Sequence, residues 1–281
     1  MLARRARVAD LVGVAERREA SGVIVRDGLL LVVSDNTGSV AVLDPGLALP
    51  GREIPLRGGR GRGYEDIAAD PVTGRLFVLV EALPDGPPFH ALVEEYDDRY
   101  RLVGAKVLDV PLERANKGVE GLAVARHEGR THLLGLCEAR GGRMPVFTEA
   151  ADRWEPIATI QLPLDFDDYA GVAVAGERIA VISQESSALW LGRLDPRTWT
   201  VDDGVVHDFP RDDDGKPRFA TVEGVSFLGL HQVVVATDRT SGRRHPTAEQ
   251  SVAVFDLPTI LPRPGGAART RPARRRRAAG G

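Results

Sequence analysis

Carboxylates recur along this chain at two kinds of position. One set opens apolar stretches: Glu65 and Asp66, Glu120 and Glu223, with Asp168 just ahead of Ala170-Gly171. The other closes apolar stretches: Asp35 after Ser34, Glu81 after Val80, Glu138 after Cys137, Glu185 after Gln184 and Asp238 after Thr237. Carboxylates that converge on one place repel one another unless a cation, a neighbouring Arg or Lys, or a raised pKa compensates. Converging hard oxygens suit Ca²⁺ or a cationic ligand. With a metal and nearby cations they suit a phosphate ester, and a pair of them suits glycoside hydrolysis. Lys117, Arg140 and Arg239 lie beside these acids in sequence and would supply the positive charge.

What brings the acids together is a repeat. The centre of the pattern is 116–123, Asn-Lys-Gly-Val-Glu-Gly-Leu-Ala. Its echoes start at Ser21-Gly22, Glu65-Asp66, Ala170-Gly171 and Glu223-Gly224, about 44–55 residues apart, a period characteristic of propellers and solenoids. Each repeat reads as short apolar strands with turns between them. The first has strands at 21–26, 29–34, 39–43 and 52–56, with Asp27-Gly28 as a tight hairpin turn. The later repeats place strands at 66–69, 75–80, 91–96 and 101–108, at 121–125, 131–137, 144–148 and 156–162, and at 171–174, 178–183, 188–194 and 201–208. The last repeat offers three strands, 224–228, 232–237 and 251–255, and stops at Pro258. A fourth is missing, and residues 7–14 form a strand candidate without a neighbour. Docked on the last blade, that segment closes the ring and covers its edge. The expected fold is therefore all-β, a five-bladed β-propeller closed by its N-terminal strand, with a six-bladed ring as the alternative. In such a blade, strand one starts and strand two ends at the same end of the ring, so both sets of acids share one channel mouth.

Composition sets the outer limits. The 281 residues are 43% hydrophobic and 27% charged, a globular balance. One domain is expected over 1–261, followed by a disordered tail, 262–281, which carries seven arginines and no acid. Without that tail the net charge moves from -3 to about -10, so the folded body lacks the basic face of a nucleic-acid-binding domain. Cys137, the one cysteine, cannot form an intrachain disulfide and reads as a buried small residue. With no signal-like or membrane-length apolar run, the expectation is a cytoplasmic monomer that does not engage a membrane.

Other signals are thinner. The 57–63 stretch, Arg-Gly-Gly-Arg-Gly-Arg-Gly, leads to the same mouth, and Arg60 and Arg62 with the loop's N–H groups could contact an anion. Residues 212–215, Asp-Asp-Asp-Gly, lack the spacing and closing Glu of a calcium loop and read as a solvated turn. The six histidines show no paired metal spacing, and there is no Gly-x-Ser-x-Gly elbow.

Block 116–123 followed by Glu138 resembles the third repeat of the SdiA-regulated family of bacterial propellers. Related patterns occur in the esterase-like phytase domain family, and the likeness spans 21–255. The resemblance implies a propeller with a metal ion in the acidic mouth, and no settled enzymatic role. Ser21 and Ala170 depart from it, because an acid is missing at those two blade starts. The functional expectation is a ligand- or Ca²⁺-binding propeller. The alternative is a hydrolase using the mouth carboxylates, a metal-dependent phosphoesterase or a glycosidase.

Overall fold

The computed structural model describes residues 3–80, 89–112, 118–138, 141–238 and 250–257. Glu81, Lys117, Arg140, Arg239 and the 262–281 tail lie outside them.

The chain opens with β1 (Ala3–Arg7) and one short helix, α1 (Val8–Val12). A first meander follows: β2 (Ala20–Arg26), β3 (Leu29–Ser34), β4 (Ser39–Leu43) and β5 (Arg52–Pro55). Then come β6 (Tyr64–Ala69), β7 (Leu76–Val80), β8 (Leu92–Tyr96) and β9 (Leu102–Leu108). Next are β10 (Val119–His127), β11 (Arg130–Cys137), β12 (Arg143–Glu149) and β13 (Arg153–Gln161). A further four are β14 (Gly171–Ala175), β15 (Arg178–Ser183), β16 (Ala188–Asp195) and β17 (Thr200–Asp208). The chain returns through β18 (Val222–Phe227), β19 (Gln232–Thr237) and β20 (Ser251–Asp256).

The architecture is all-β and propeller-like. Neighbouring strands pair antiparallel within each meander, and β1 completes the last sheet in the order β1-β20-β19-β18. The meanders β6–β9 and β10–β13 merge into one eight-stranded sheet through two parallel pairs, Arg153 with Val107 and Trp154 with Leu108. The first strands of the meanders contact one another in the cyclic order β2, β6, β10, β14, β18 and back to β2. Apolar cores fill the spaces between successive meanders. Val23 and Val234 meet between the last and the first, Ile24 and Ile67 between the first and second, and Ala68 and Leu122 between the second and third. Both faces of each inner strand are thus buried, which is why these strands read as unbroken apolar runs. The Asp27-Gly28 turn has both residues at positive φ, as a two-residue hairpin of the predicted kind requires.

One boundary needs correction. The closing strand is Ala3–Arg7, paired with β20 from Ala3↔Phe255 to Arg7↔Ser251, and not residues 7–14. Residues Val8, Leu11 and Val12 follow a helical spacing, with Val8 fully buried and Gly13 in the left-handed C-cap conformation. The apolar positions form a helix stripe, while the arginines of β1 suit an edge strand, which charge protects from further pairing.

Candidate functional site

Small residues set how closely the inner strands approach. A Cβ on Gly224 would lie 2.8 Å from Gly22 Cα, one on Gly22 would lie 2.7 Å from Asp66 Cα, and one on Gly171 would lie 2.1 Å from the Glu223 carbonyl oxygen. On Gly121 it would lie 3.1 Å from Gly171 Cα. Glycine is required here by close backbone approach. The fifth position of this ring is Asp66, whose Oδ1 accepts the N–H of Ile67 at 2.8 Å and whose Oδ2 accepts the N–H of Leu122 at 2.7 Å. Asp66 therefore staples β6 to β10. It was expected among the mouth carboxylates but is 1% exposed. Burial pushes its carboxyl well above the usual range, against the pull of the two N–H donors.

Just ahead of this ring, four inner strands are bulged. The pairing register shifts between Ala20 and Gly22, Tyr64 and Asp66, Val119 and Gly121, and Val222 and Gly224. The extra residues are Ser21, Glu65, Glu120 and Glu223. A bulge re-aims the side chain it inserts, and here it directs three glutamates to the end of the ring where the second strands finish. Ser21 instead donates its hydroxyl to the Tyr64 carbonyl, and β14 pairs without a shift.

Glu223 is the best-defined member of this group. Its Oε1 accepts a hydrogen bond from Gln184 Nε2 at 2.9 Å. Burial raises its carboxyl well above the usual range, and the negative charges of Asp238, Glu65 and Glu120 raise it further. Four carboxyls, separated widely in sequence, thus share one electrostatic field at the mouth. Glu120 also accepts the Gly118 N–H at 3.3 Å. A second pair lies along the rim: Asp168 takes the hydroxyl of Ser183 and the N–H of Glu185 at 3.0 Å. Burial pushes the Asp168 carboxyl up, and the Glu138 charge adds to that, against the pull of the Ser183 and Glu185 donors. The Asp35 and Glu185 side chains stand in solvent.

The 57–63 loop reaches the same end, where the Gly63 N–H bonds the Asp35 carbonyl at 2.8 Å. Several of its amides are engaged within the protein. Arg60 N–H donates to Glu94 Oε1 at 2.8 Å and Gly61 N–H to the Tyr64 hydroxyl at 3.1 Å, while Tyr64 and Tyr96 both donate to the buried Glu94. The Arg60 and Arg62 side chains are exposed. Residues 212–215 form the expected turn, with the Gly215 N–H on the Asp212 carbonyl at 3.0 Å. Cys137 is buried in the core between β7 and β11. Among the described residues, no three His, Cys, Asp or Glu side chains are grouped so as to hold a metal ion.

No protein-family model matches the chain, and no curated protein matches it. Solved structures do. Glutaminyl cyclase from Myxococcus xanthus aligns over 91% of this chain and 93% of its own, at 13% identity and a TM-score of 0.52. The PQQ-bound form of aldose sugar dehydrogenase from Streptomyces coelicolor aligns over 90% and 98%, at 11% identity and a TM-score of 0.46. The Dos1 propeller aligns over 78% of this chain and 53% of its own, at 10% identity and a TM-score of 0.45. At these identities the likeness concerns the fold alone.

The opposite end of the ring holds a feature that sequence reasoning missed. A cavity of about 1300 Å³ opens there, lined by the far ends of the inner strands and the turns after them. The repeat pattern marked strand starts by their acids, whereas the strand part of this cavity's lining is mainly ordinary apolar residues, which carry no motif.

Proposed function

We propose that this chain is a five-bladed β-propeller, each meander one blade and β1 the closing strand, that binds a ligand carrying a cationic group at its acidic mouth. The observation that carries this reading is the Glu223 carboxyl, raised by burial and by three like charges from Asp238, Glu65 and Glu120. A bound cation would neutralise that repulsion and return the group to its ionised form. An organic ammonium or guanidinium suits this set better than a bare ion. Ca²⁺ needs about 6–8 oxygens around one point, and the described side chains do not converge in that way. Ca²⁺ remains the second ligand to test, because its acceptors would include the acids named from sequence. One domain, a monomeric state and a cytoplasmic setting complete the proposal. Among the described residues, no helix is long and apolar enough to cross a membrane.

The test is a thermal-shift and calorimetric titration of the whole chain with spermidine, arginine methyl ester and Ca²⁺ in turn, on wild type and Glu223→Gln. A ligand that binds only the folded state raises its midpoint by mass action. The expected result is a rise with at least one cation that is lost in Glu223→Gln. Flat titrations with all three overturn the reading. Turnover of a phosphate ester or a glycoside that Glu223→Gln abolishes would replace binding with hydrolysis.

A further inference from the structure

The cavity at the far end of the ring is a funnel of about 1300 Å³. Ile67, Leu122, Val172 and Val225 form its floor, each directly following the ring position of its own strand. The close backbone approach at Gly22, Asp66, Gly121, Gly171 and Gly224 stands between this floor and the acidic mouth. Around the apolar wall the lining holds five acids against three arginines.

All three arginines already face carboxylates. Arg126 Nη1 donates to Asp70 at 2.7 Å, Arg75 Nη2 pairs with Glu95 at 2.6 Å, and Arg26 Nε lies 3.5 Å from Asp27. Of the acids, Asp70 is buried, and Asp97 accepts the N–H groups of Arg99 and Arg101, both at 2.9 Å. The surplus negative charge sits on the other three. The Asp27 side chain is 87% exposed. Asp98 and Glu177 are exposed and form no ion pair with a described residue. Arg197, which feels the Glu177 charge, is closed on Asp195 at 3.0 Å.

The chain itself carries a basic segment to this end. β20 runs from the mouth to the far end, as its pairing with β19 from Thr237↔Ser251 to Gln232↔Asp256 requires. Leu257 then donates its N–H to the His231 carbonyl at 2.7 Å, in the turn after Phe227, a residue of the funnel lining. β20 is two strands out from β18, about 9–10 Å at the usual strand spacing. Beyond Leu257 the sequence has two adjacent apolar residues, Ile260 and Leu261. Arg263, Arg269, Arg271 and the run Arg274-Arg275-Arg276-Arg277 follow, with no acid after Asp256. An extended chain covers at most ~3.3–3.6 Å per residue, so Ile260 can reach about 10 Å from Leu257 and Arg269 about 40 Å. The apolar pair can thus meet the wall, and the arginines can cross to the rim.

We infer that the funnel receives this chain's own C-terminal segment, residues 258–277, with Ile260 and Leu261 on the apolar wall and the arginines on Asp27, Asp98 and Glu177. The tether makes the contact intramolecular, so individually weak pairs add up at a high effective concentration. The inference does not depend on the mouth. Limited trypsin digestion of the full chain tests it, with mass spectrometry following cleavage after Arg269, Arg274 and Arg275. When docking is fast, cleavage tracks the undocked fraction. The rim variant Asp27→Asn/Asp98→Asn/Glu177→Gln changes exposed residues, and Asn tolerates the φ of 52° at position 27. Its tail should be cut at least about fivefold faster than that of wild type at low salt, and the two rates should converge near about 0.5 M NaCl, where surface charge is screened. Ile260→Ser/Leu261→Ser should also speed cleavage. Asp212→Asn/Asp213→Asn/Asp214→Asn, which removes as much charge in a solvated turn, should leave it unchanged. Wild-type cleavage in either of the first two variants overturns the proposal, as does equal acceleration by the third. Protection that grows with protein concentration also overturns it, because the funnel would then hold the segment of a second copy.

Discussion

Protonating Glu223 removes one of the charges crowded at the mouth, so the folded chain holds a proton there that the unfolded chain releases. Its folded pKa lies above the ordinary value of 4.5. Between 4.5 and the raised value the native state binds more protons than the unfolded state, and stability falls as pH rises through that window. Glu223→Gln should flatten this dependence and raise the melting temperature at pH 7 while leaving it nearly unchanged near pH 4. A mutant less stable than wild type at pH 7 would mean that the carboxylate is held by favourable contacts instead of crowded by like charges. Asp66 gives a contrasting case. Both of its oxygens accept backbone N–H groups, and an amide could offer only one oxygen. Asp66→Asn should lower stability by about 1–3 kcal/mol, read as a reduced urea midpoint. An unchanged midpoint would remove the staple. The repeat period is what made Glu65, Glu120, Glu223 and Asp238 visible in the sequence as one group, and in the structure the charges of Asp238, Glu65 and Glu120 act on the Glu223 carboxyl. Sequence reading misplaced Asp66 because adjacency to Glu65 says nothing about the bulge that points the two side chains to different surroundings.

Strands were legible where turn chemistry framed an apolar run, as in 29–34, 39–43, 178–183 and 232–237, all of which match the structure residue for residue. Bulges were not, since they leave only a broken alternation that single positions can mimic. The helical spacing of Val8, Leu11 and Val12 was present in the sequence, and the expectation of a closing strand overrode it. Spacing between inner strands gives a prediction at this scale. Gly171→Ala would force a Cβ to within 2.1 Å of the Glu223 carbonyl oxygen. The strand would have to shift, at a cost of about 1–3 kcal/mol or more. A Cβ on Gly104, in the outer strand β9, would meet nothing within 4 Å, so Gly104→Ala should be neutral or stabilising by up to about 1 kcal/mol. Equal loss in both variants, measured by urea denaturation, would show that the inner ring is not tightly packed.

At the scale of the whole molecule, β1 joins the two described ends of the chain. Deleting residues 1–12 removes its ladder with β20 and the buried Val8. The variant should lose at least about 3 kcal/mol and expose a strand edge open to self-association. A variant that keeps the wild-type urea midpoint and stays monodisperse would show that the ring does not need this closure. The same pairing has a temporal side. Ala3 and Phe255 are partners about 250 residues apart. At about 5–20 residues per second, a ribosome makes β20 tens of seconds after β1. The first strand must wait unpaired while its eventual neighbours are still being made, and the contact that seals the ring is among the most non-local in the molecule. Long-range pairings of this kind are the slow ones. Refolding should therefore show most of the strand signal returning before β1 is protected from hydrogen exchange, with the join between chain start and chain end as the last event.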